Sequence, residues 1–473
     1  MELWQLPVTE VAALIRDRKV SAVEAAESCL GRVEAVNPEL NALADVRPEE
    51  TLADARRADA AVAAGADLGP LHGVPTSTKI NTPQRGALMT HGVTAMAGMR
   101  AAQDDASVAA LRSAGAVFLG RSNAPAFSVR WFSTNEPHGR TLNPWSAGHT
   151  PGGSSGGAAS ALASGMTPLA QGNDIGGSIR FPAGCCGVVG VRPTVGLISN
   201  WIAPEDMGPE PSLTVQAWAV QGPMARTVAD ARLALRAMAG ADLRDPFGVP
   251  ALPEAPAPGD RPIRVGVVRD VGIVKPHPAV DAAVDDAARW LADAGYEVEE
   301  IELPLLAEAA RLWSLLLFEE MRPGLPGMLE MADEGLRVHM RYAYEYAAGL
   351  WGEKPDLATY VQGWARRATL ITRLQELLGT GMILLTPVSA EPPFEQDADI
   401  IDPERGRNLV AAQWPMTSLP VLGFPGVSVP AALADGLPIG VQLIGGRFAE
   451  DLVLDAAQAV EDRAPDFTAP LSA

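Results

Sequence analysis

The chain has 473 residues, is 47% hydrophobic and 20% charged, and carries a net charge of −20. Such a composition supplies a large core and excludes a chain that is disordered as a whole. A surface this acidic repels phosphate backbones, so it excludes nucleic-acid binding over a broad face and leaves only a local basic pocket open.

The opening stretch, MELWQLPVTEVAALIRDRK, lacks the basic start, continuous apolar run and small-residue cleavage site of an export signal. Apolar runs such as Leu315–Phe318 and Met382–Leu385 are far shorter than the ~20 residues of a spanning helix. The expectation is a soluble cytoplasmic protein with no membrane partner. Residues 8–35 read as two short helices, the second opened by a capping box in which Ser21 and Glu24 exchange hydrogen bonds. An Ala-rich helix spans 51–65 and stops at Gly65. Asp105 to Ser113 reads as a helix with Val108 and Leu111 on one face, followed by a buried strand at Ala116–Leu119. The helix-then-strand pattern returns at 281–303. There Val284, Ala288 and Leu291 form the inner stripe, Gly295 stops the helix, and a strand runs from Val298 to Leu303. A strand at Arg264–Val268 precedes it. This alternation argues for an α/β fold with a largely covered sheet.

Asp242–Pro262 is Pro-rich and reads as a surface connection, either a boundary or a long loop inside one domain. Residues 312–365 concentrate Trp313, Met321, Met328, Met331, Met340, Trp351 and Trp364. They read as the core of a helical subdomain or as the wall of an apolar pocket. Between Ser199 and Val220 lie Trp201, Met207, Leu213 and Trp218, which read as surface-loop packing or as an apolar pocket lid. The three cysteines, Cys29, Cys185 and Cys186, match neither a disulfide framework nor a zinc spacing and read as small buried hydrophobes.

Residues 151–200 hold 12 of the 46 glycines. A flexible linker is excluded by the apolar residues running through them. A nucleotide loop is disfavoured, because neither Gly-x4-Gly-Lys-Ser/Thr nor a strand followed by Gly-x-Gly-x-x-Gly is present. The remaining reading is an oxyanion site. Asp174-Ile175-Gly176-Gly177-Ser178 offers successive backbone N–H groups, as acyl transfer requires, and ends on a serine suited to act as nucleophile. That serine needs a base. None of the six histidines stands in a nucleophile-elbow context. Lys79, in LHGVPTSTKINTP, is the one lysine between Lys19 and Lys275. Burial could hold it neutral, although a single lysine also fits an exposed surface charge.

At this point the residues carry a resemblance. PGGSSGG at 151–157, GNDIGGSIRFPAGCCGVVGVRPT at 172–194 and GPMARTVAD at 222–230 resemble the motifs of the amidase signature family. GVPTSTK at 73–79 and GLPIGVQLIG at 436–445 extend the match, and weaker similarity runs over most of the chain. The resemblance implies a single amidase-like domain over 1–473, built on a large mixed twisted sheet with helices on both faces. Residues 66–245 would carry the signature core, and about 305–380 a variable helical region around the substrate pocket. It implies a hydrolase of carbon–nitrogen bonds in linear amides that needs no metal or cofactor. Ser178 would be the nucleophile and Lys79 the base. Ser154 would bridge them, following a cis peptide bond. The N–H groups of Ile175, Gly176, Gly177 and Ser178 would form the oxyanion hole. Ser155 would support the site or merely cap backbone, and Asp174 would pair with Arg180 to brace the loop.

Two departures stand out: Ile80 where the family commonly has aspartate, and Pro125-Ala126-Phe127 where it often has Glu-Phe after the proline. Neither touches the triad, but both bear on the pocket. The expected substrates are small molecules with apolar or aryl acyl or amine groups, with carbamates and esters as further candidates. Trp218, Trp313 and Met207 are the candidate substrate contacts. A monomer or homodimer is expected. The alternative is the A subunit of a glutamine-dependent tRNA amidotransferase. Against it stand the acidic balance and the sequence SAEPPFEQDADIID at 389–402, where such subunits carry a tyrosine-rich segment.

Overall fold

A computed structural model describes residues 2–201, 210–249, 262–379 and 381–469. Eleven strands form one sheet in the order β1 (Leu43–Val46), β3 (Val117–Ser122), β2 (Pro75–Lys79), β6 (Leu169–Asp174), β8 (Val220–Ala225), β7 (Val189–Arg192), β12 (Gly426–Ala434), β13 (Leu437–Ile444), β11 (Met382–Pro387), β9 (Arg264–Val267) and β10 (Glu297–Glu300). Pairing is parallel among β3, β2 and β6 and again among β11, β9 and β10, and antiparallel through the centre. β4 (Thr134–Asn135) and β5 (Gly139–Arg140) form a separate hairpin.

Strand β11 shows why both faces are covered. All six of its residues are buried. Successive side chains of a strand point to opposite faces. Accordingly Ile383 and Leu385 join one apolar cluster, while Met382 and Leu384 join the other. The first cluster packs helices Val8–Arg16, Val228–Met238, Pro278–Asp293 and Glu450–Glu461. The second packs Gly156–Ala163, Pro304–Met321, Glu334–Trp351, Leu357–Leu378 and Trp414–Leu422. The fold is therefore the expected large mixed sheet between helical layers.

Most expected elements form. The helix Ala22–Leu40 opens on the Ser21–Glu24 capping box and closes on Asn41, a left-handed residue at φ 49°. Asp105 caps Ala106–Ser113 through the Ser107 N–H. The strand expected over Val298–Leu303 is shorter. It spans Glu297–Glu300, matching its parallel partner β9, which ends at Val267, and Pro304 opens the next helix. The three cysteines are free and buried. Residues 250–261 of the Pro-rich connection lie outside the described residues. Among the described residues, no helix is long and apolar enough to cross a membrane.

Candidate active site

Lys79 is the last residue of β2, a strand buried along its whole length between β3 and β6. Its ammonium group has no exposed surface. Lys79 Nζ donates to Ser154 Oγ at 2.6 Å and to Asn173 Oδ1 at 2.7 Å. Burial lowers its pKa strongly, the charge of Asp174 pulls it partly back, and the balance leaves it at about 7. A lysine so placed is neutral for a large part of the time near pH 7 and able to accept a proton.

Ser154 follows a cis Gly153–Ser154 peptide and precedes the helix Gly156–Ala163. Gly153 permits this approach, since a Cβ there would come within 2.5 Å of the Arg130 carbonyl. Ser178 lies between β6 and the short helix Arg180–Cys186. Its carbonyl accepts from the Ser155 N–H at 3.1 Å, tying the two serine segments together. Ser154 and Ser178 both face a cavity of about 310 Å³, whose wall also includes Asp174, Ile175 and Gly176. Lys79 sits behind Ser154, outside the lining.

Asp174 is fully buried and braces the loop. Burial would raise its carboxyl, but Arg180 and Arg192 outweigh it and hold the pKa at about 2. Arg180 forms a two-pronged pair with it, at 3.0 Å for both Nε and Nη2. The same carboxylate accepts the Gly177 N–H at 2.9 Å. Of the four N–H groups expected to face an oxyanion, that of Gly177 is thus already occupied. Among the described residues, nothing accepts those of Ile175, Gly176 and Ser178.

The cavity lining is mixed: Asn81, Thr82, Asn173, Asn200 and Gln221 contribute polar groups, while Trp131, Trp313, Leu317, Phe318, Met321 and Met328 contribute apolar wall. Trp313 is therefore placed on the wall. Trp218 is not. It is fully buried, packs on Trp364 with ring centroids 5.6 Å apart, and lies outside the lining. Met207 lies outside the described residues. Ser155 Oγ is buried and, among the described residues, has no hydrogen-bond partner. Among the described residues, no group of three or more His, Cys, Asp and Glu is placed to hold a metal ion.

Sequence reasoning missed three contributors. Asn173 holds Lys79 and passes its own amide to Asn81 at 3.0 Å. Its signal was its place in GNDIGGS, one residue before the aspartate. Trp131 donates to the Gly176 carbonyl at 2.8 Å, and Arg192 donates to the Asp174 carbonyl at 2.7 Å. Neither role has a local sequence signal.

Comparison with known proteins settles the class. The family model described as Amidase matches residues 24–454. The chain is 40% identical over 467 residues to the indoleacetamide hydrolase of Bradyrhizobium diazoefficiens, covering 98% of this chain and 87% of that protein. It is 35% identical over 499 residues to the A subunit of the glutamyl-tRNA(Gln) amidotransferase of Roseiflexus castenholzii, covering 97% and 96%. Its fold matches the structure of 6-aminohexanoate cyclic dimer hydrolase complexed with substrate, with a TM-score of 0.80 and 28% identity over 100% of both chains. Fold and matches together define an enzyme that hydrolyses amides. The chain belongs to the amidase signature family.

Proposed function

We propose that this chain is a free-standing hydrolase of linear amides with bulky apolar or aryl groups, working through Lys79, Ser154 and Ser178. The observation that carries the proposal is the 2.6 Å contact of a buried lysine with Ser154, which lines the same cavity as Ser178. Neutral Lys79 takes the Ser154 proton as Ser154 takes that of Ser178. Ser178 Oγ attacks the amide carbonyl, and the negative oxygen is stabilised by N–H groups of the 175–178 segment. The relay reverses to protonate the leaving nitrogen, the C–N bond breaks, and an ester to Ser178 remains. Water, deprotonated by the same relay, cleaves that ester and frees Ser178. Every proton is moved by these side chains, so the steps need no metal or cofactor.

The apolar wall supports the substrate class, because pockets of this kind bind through apolar area and use few polar groups for orientation. The relative named as an indoleacetamide hydrolase supports an aromatic amide as well. Carbamates and esters present a similar carbonyl and are further candidates. In this proposal one domain spans the chain, with 66–245 as the signature core and about 305–380 shaping the pocket through Trp313, Leu317 and Met321. It acts in the cytoplasm as a monomer or homodimer, without nucleic acid.

The amidotransferase role is the second reading, supported by relatives of that name. The purified chain assayed alone separates the two. Aryl amides should exceed acetamide and glutamine by orders of magnitude in kcat/KM. Preferred glutamine hydrolysis, or turnover only with partner chains present, would favour the amidotransferase.

A further inference from the structure

Four successive carbonyls of the loop that carries Ser178 are each held by a donor. Arg192 Nη1 takes that of Asp174 at 2.7 Å. Trp313 Nε1 takes that of Ile175, and Trp131 Nε1 that of Gly176, each at 2.8 Å. The Phe181 N–H takes that of Gly177 at 2.8 Å. All four peptides are trans, since the cis bond lies at Gly153–Ser154. A planar trans peptide points its C=O and N–H to opposite sides. A donor that fixes a carbonyl therefore also fixes the direction of the N–H on the same plane. Trp313 fixes the plane carrying the Gly176 N–H, which no described residue accepts. Trp131 fixes the next plane, whose N–H is held from the other side by Asp174.

We propose that Trp313 and Trp131 are positioning residues for the oxyanion loop, holding its peptide planes through their indole N–H groups while their rings wall the substrate cavity. This rests on the reading of the 175–178 segment as the oxyanion-stabilising element. Both rings line the cavity and stack on each other with centroids 6.3 Å apart. A Cβ on Gly176 would lie 2.9 Å from Trp313 Cζ2, so glycine is what lets the indole reach the loop. Trp131 is in turn backed edge-on by His339, whose Nδ1 is 3.0 Å from Asp399. Arg130, next to Trp131 in the chain, clamps the same buried carboxylate with two contacts of 2.6 and 2.8 Å. Trp131 is thus braced by a ring and a buried ion pair as well as by the loop. Recognition of an apolar group and alignment of the loop then use the same two side chains. A substrate that packs poorly on those rings loses turnover as well as affinity.

The test replaces each tryptophan in the full-length enzyme by 3-benzothienylalanine, which exchanges the indole N–H for sulfur and keeps the ring shape, and separately by Phe. On an aryl amide the Trp313 isostere should lower kcat about 10- to 100-fold, and the Trp131 isostere by less, because the N–H on the plane it fixes is already held by Asp174. KM should stay within about threefold, as for an interaction that strengthens in the transition state. Inhibition by a boronic acid bearing the same aryl group should weaken in parallel with kcat/KM. Binding of the carboxylic acid product should be unchanged. Unchanged kcat with a raised KM in both isosteres would overturn the proposal and leave the tryptophans as walls only. Ser178→Ala separates the two levels. Full turnover in that variant would remove the assignment of the loop itself. Its inactivity, combined with normal kcat in both isosteres, would remove only the positioning role. If a Phe variant does not fold, the near-isosteric replacement still decides.

Discussion

Lys79 Nζ lies 2.6 Å from Ser154 Oγ in a site where the lysine has no exposed surface. An ammonium ion there has lost its hydration and keeps two neutral oxygen partners, Ser154 and Asn173. Desolvation therefore prevails over the opposing attraction of Asp174, and the group titrates at about 7.

Activity should follow that titration. The base is the neutral amine, so kcat/KM should fall about tenfold per pH unit below about 7 and level off above it. Lys79→Ala should lose several powers of ten in turnover and retain its circular dichroism spectrum. A pH–rate profile of both proteins checks this. A flat profile between pH 5 and 8 would point to a different base.

The two adjacent serines should behave oppositely. Ser154→Ala removes one of the two partners of Lys79, the hydroxyl that passes the proton, and should lower kcat by at least about a hundredfold. Ser155→Ala removes a buried hydroxyl that has no hydrogen-bond partner among the described residues. It keeps the backbone N–H that holds the Ser178 carbonyl, so turnover should change less than about threefold and thermal stability should hold or rise. Steady-state kinetics and melting curves of the two variants give the order directly.

Trp218 and Trp313 should separate stability from specificity. Trp218→Ala empties a fully buried site against Trp364 and should cost about 3–5 kcal/mol in unfolding free energy, with substrate preference unchanged. Trp313→Ala opens the cavity wall and should lower the ratio of kcat/KM for an aryl amide over acetamide. Urea unfolding and substrate competition measure the two effects. Loss of preference in Trp218→Ala at unchanged stability would place that ring in the pocket after all.

Arg180→Met should be among the most damaging changes away from the cavity. It strips a two-pronged partner from a carboxylate with no exposed surface and should cost about 3–5 kcal/mol. The pH dependence has a definite sign. Asp174 titrates at about 2 when folded, below the ~3.9 of a free aspartate. Its contribution is fully present above about 3.9 and fades as pH falls through 2. Acid unfolding of the wild type should therefore show a component that Asp174→Asn lacks.

How much of this was legible in the chain depended on distance along it. Ser154 and Ser178 stood in dense motifs, and the capping box at Ser21 and Glu24 needed only local chemistry. The run Met382–Leu385 was apolar enough to be noticed but not assignable as a strand, since the similar run Leu315–Phe318 is helical. The depth of Lys79 did not follow from its own neighbours, because its burial comes from flanking by β3 and β6. Trp131 and Trp313 reach the loop across 45 and 138 residues, so nothing near GNDIGGS signals them. Trp218 ends a six-residue helix beside Pro and Gly, too short a stretch for periodicity to tell core from pocket. The Gly177 N–H could be counted in sequence but not seen to be occupied, since that depends on how the Asp174 side chain turns.

The central claim is that Ser178 is the nucleophile activated by Lys79, and one measurement tests it most directly. The enzyme is treated with an aryl fluorophosphonate across pH 5–9, and the modified peptide is identified by mass spectrometry. The expected result is one adduct per chain, on Ser178, formed at a rate that rises with a midpoint at about 7 and collapses in Lys79→Ala. An adduct on any other residue, together with full turnover by Ser178→Ala, would contradict it.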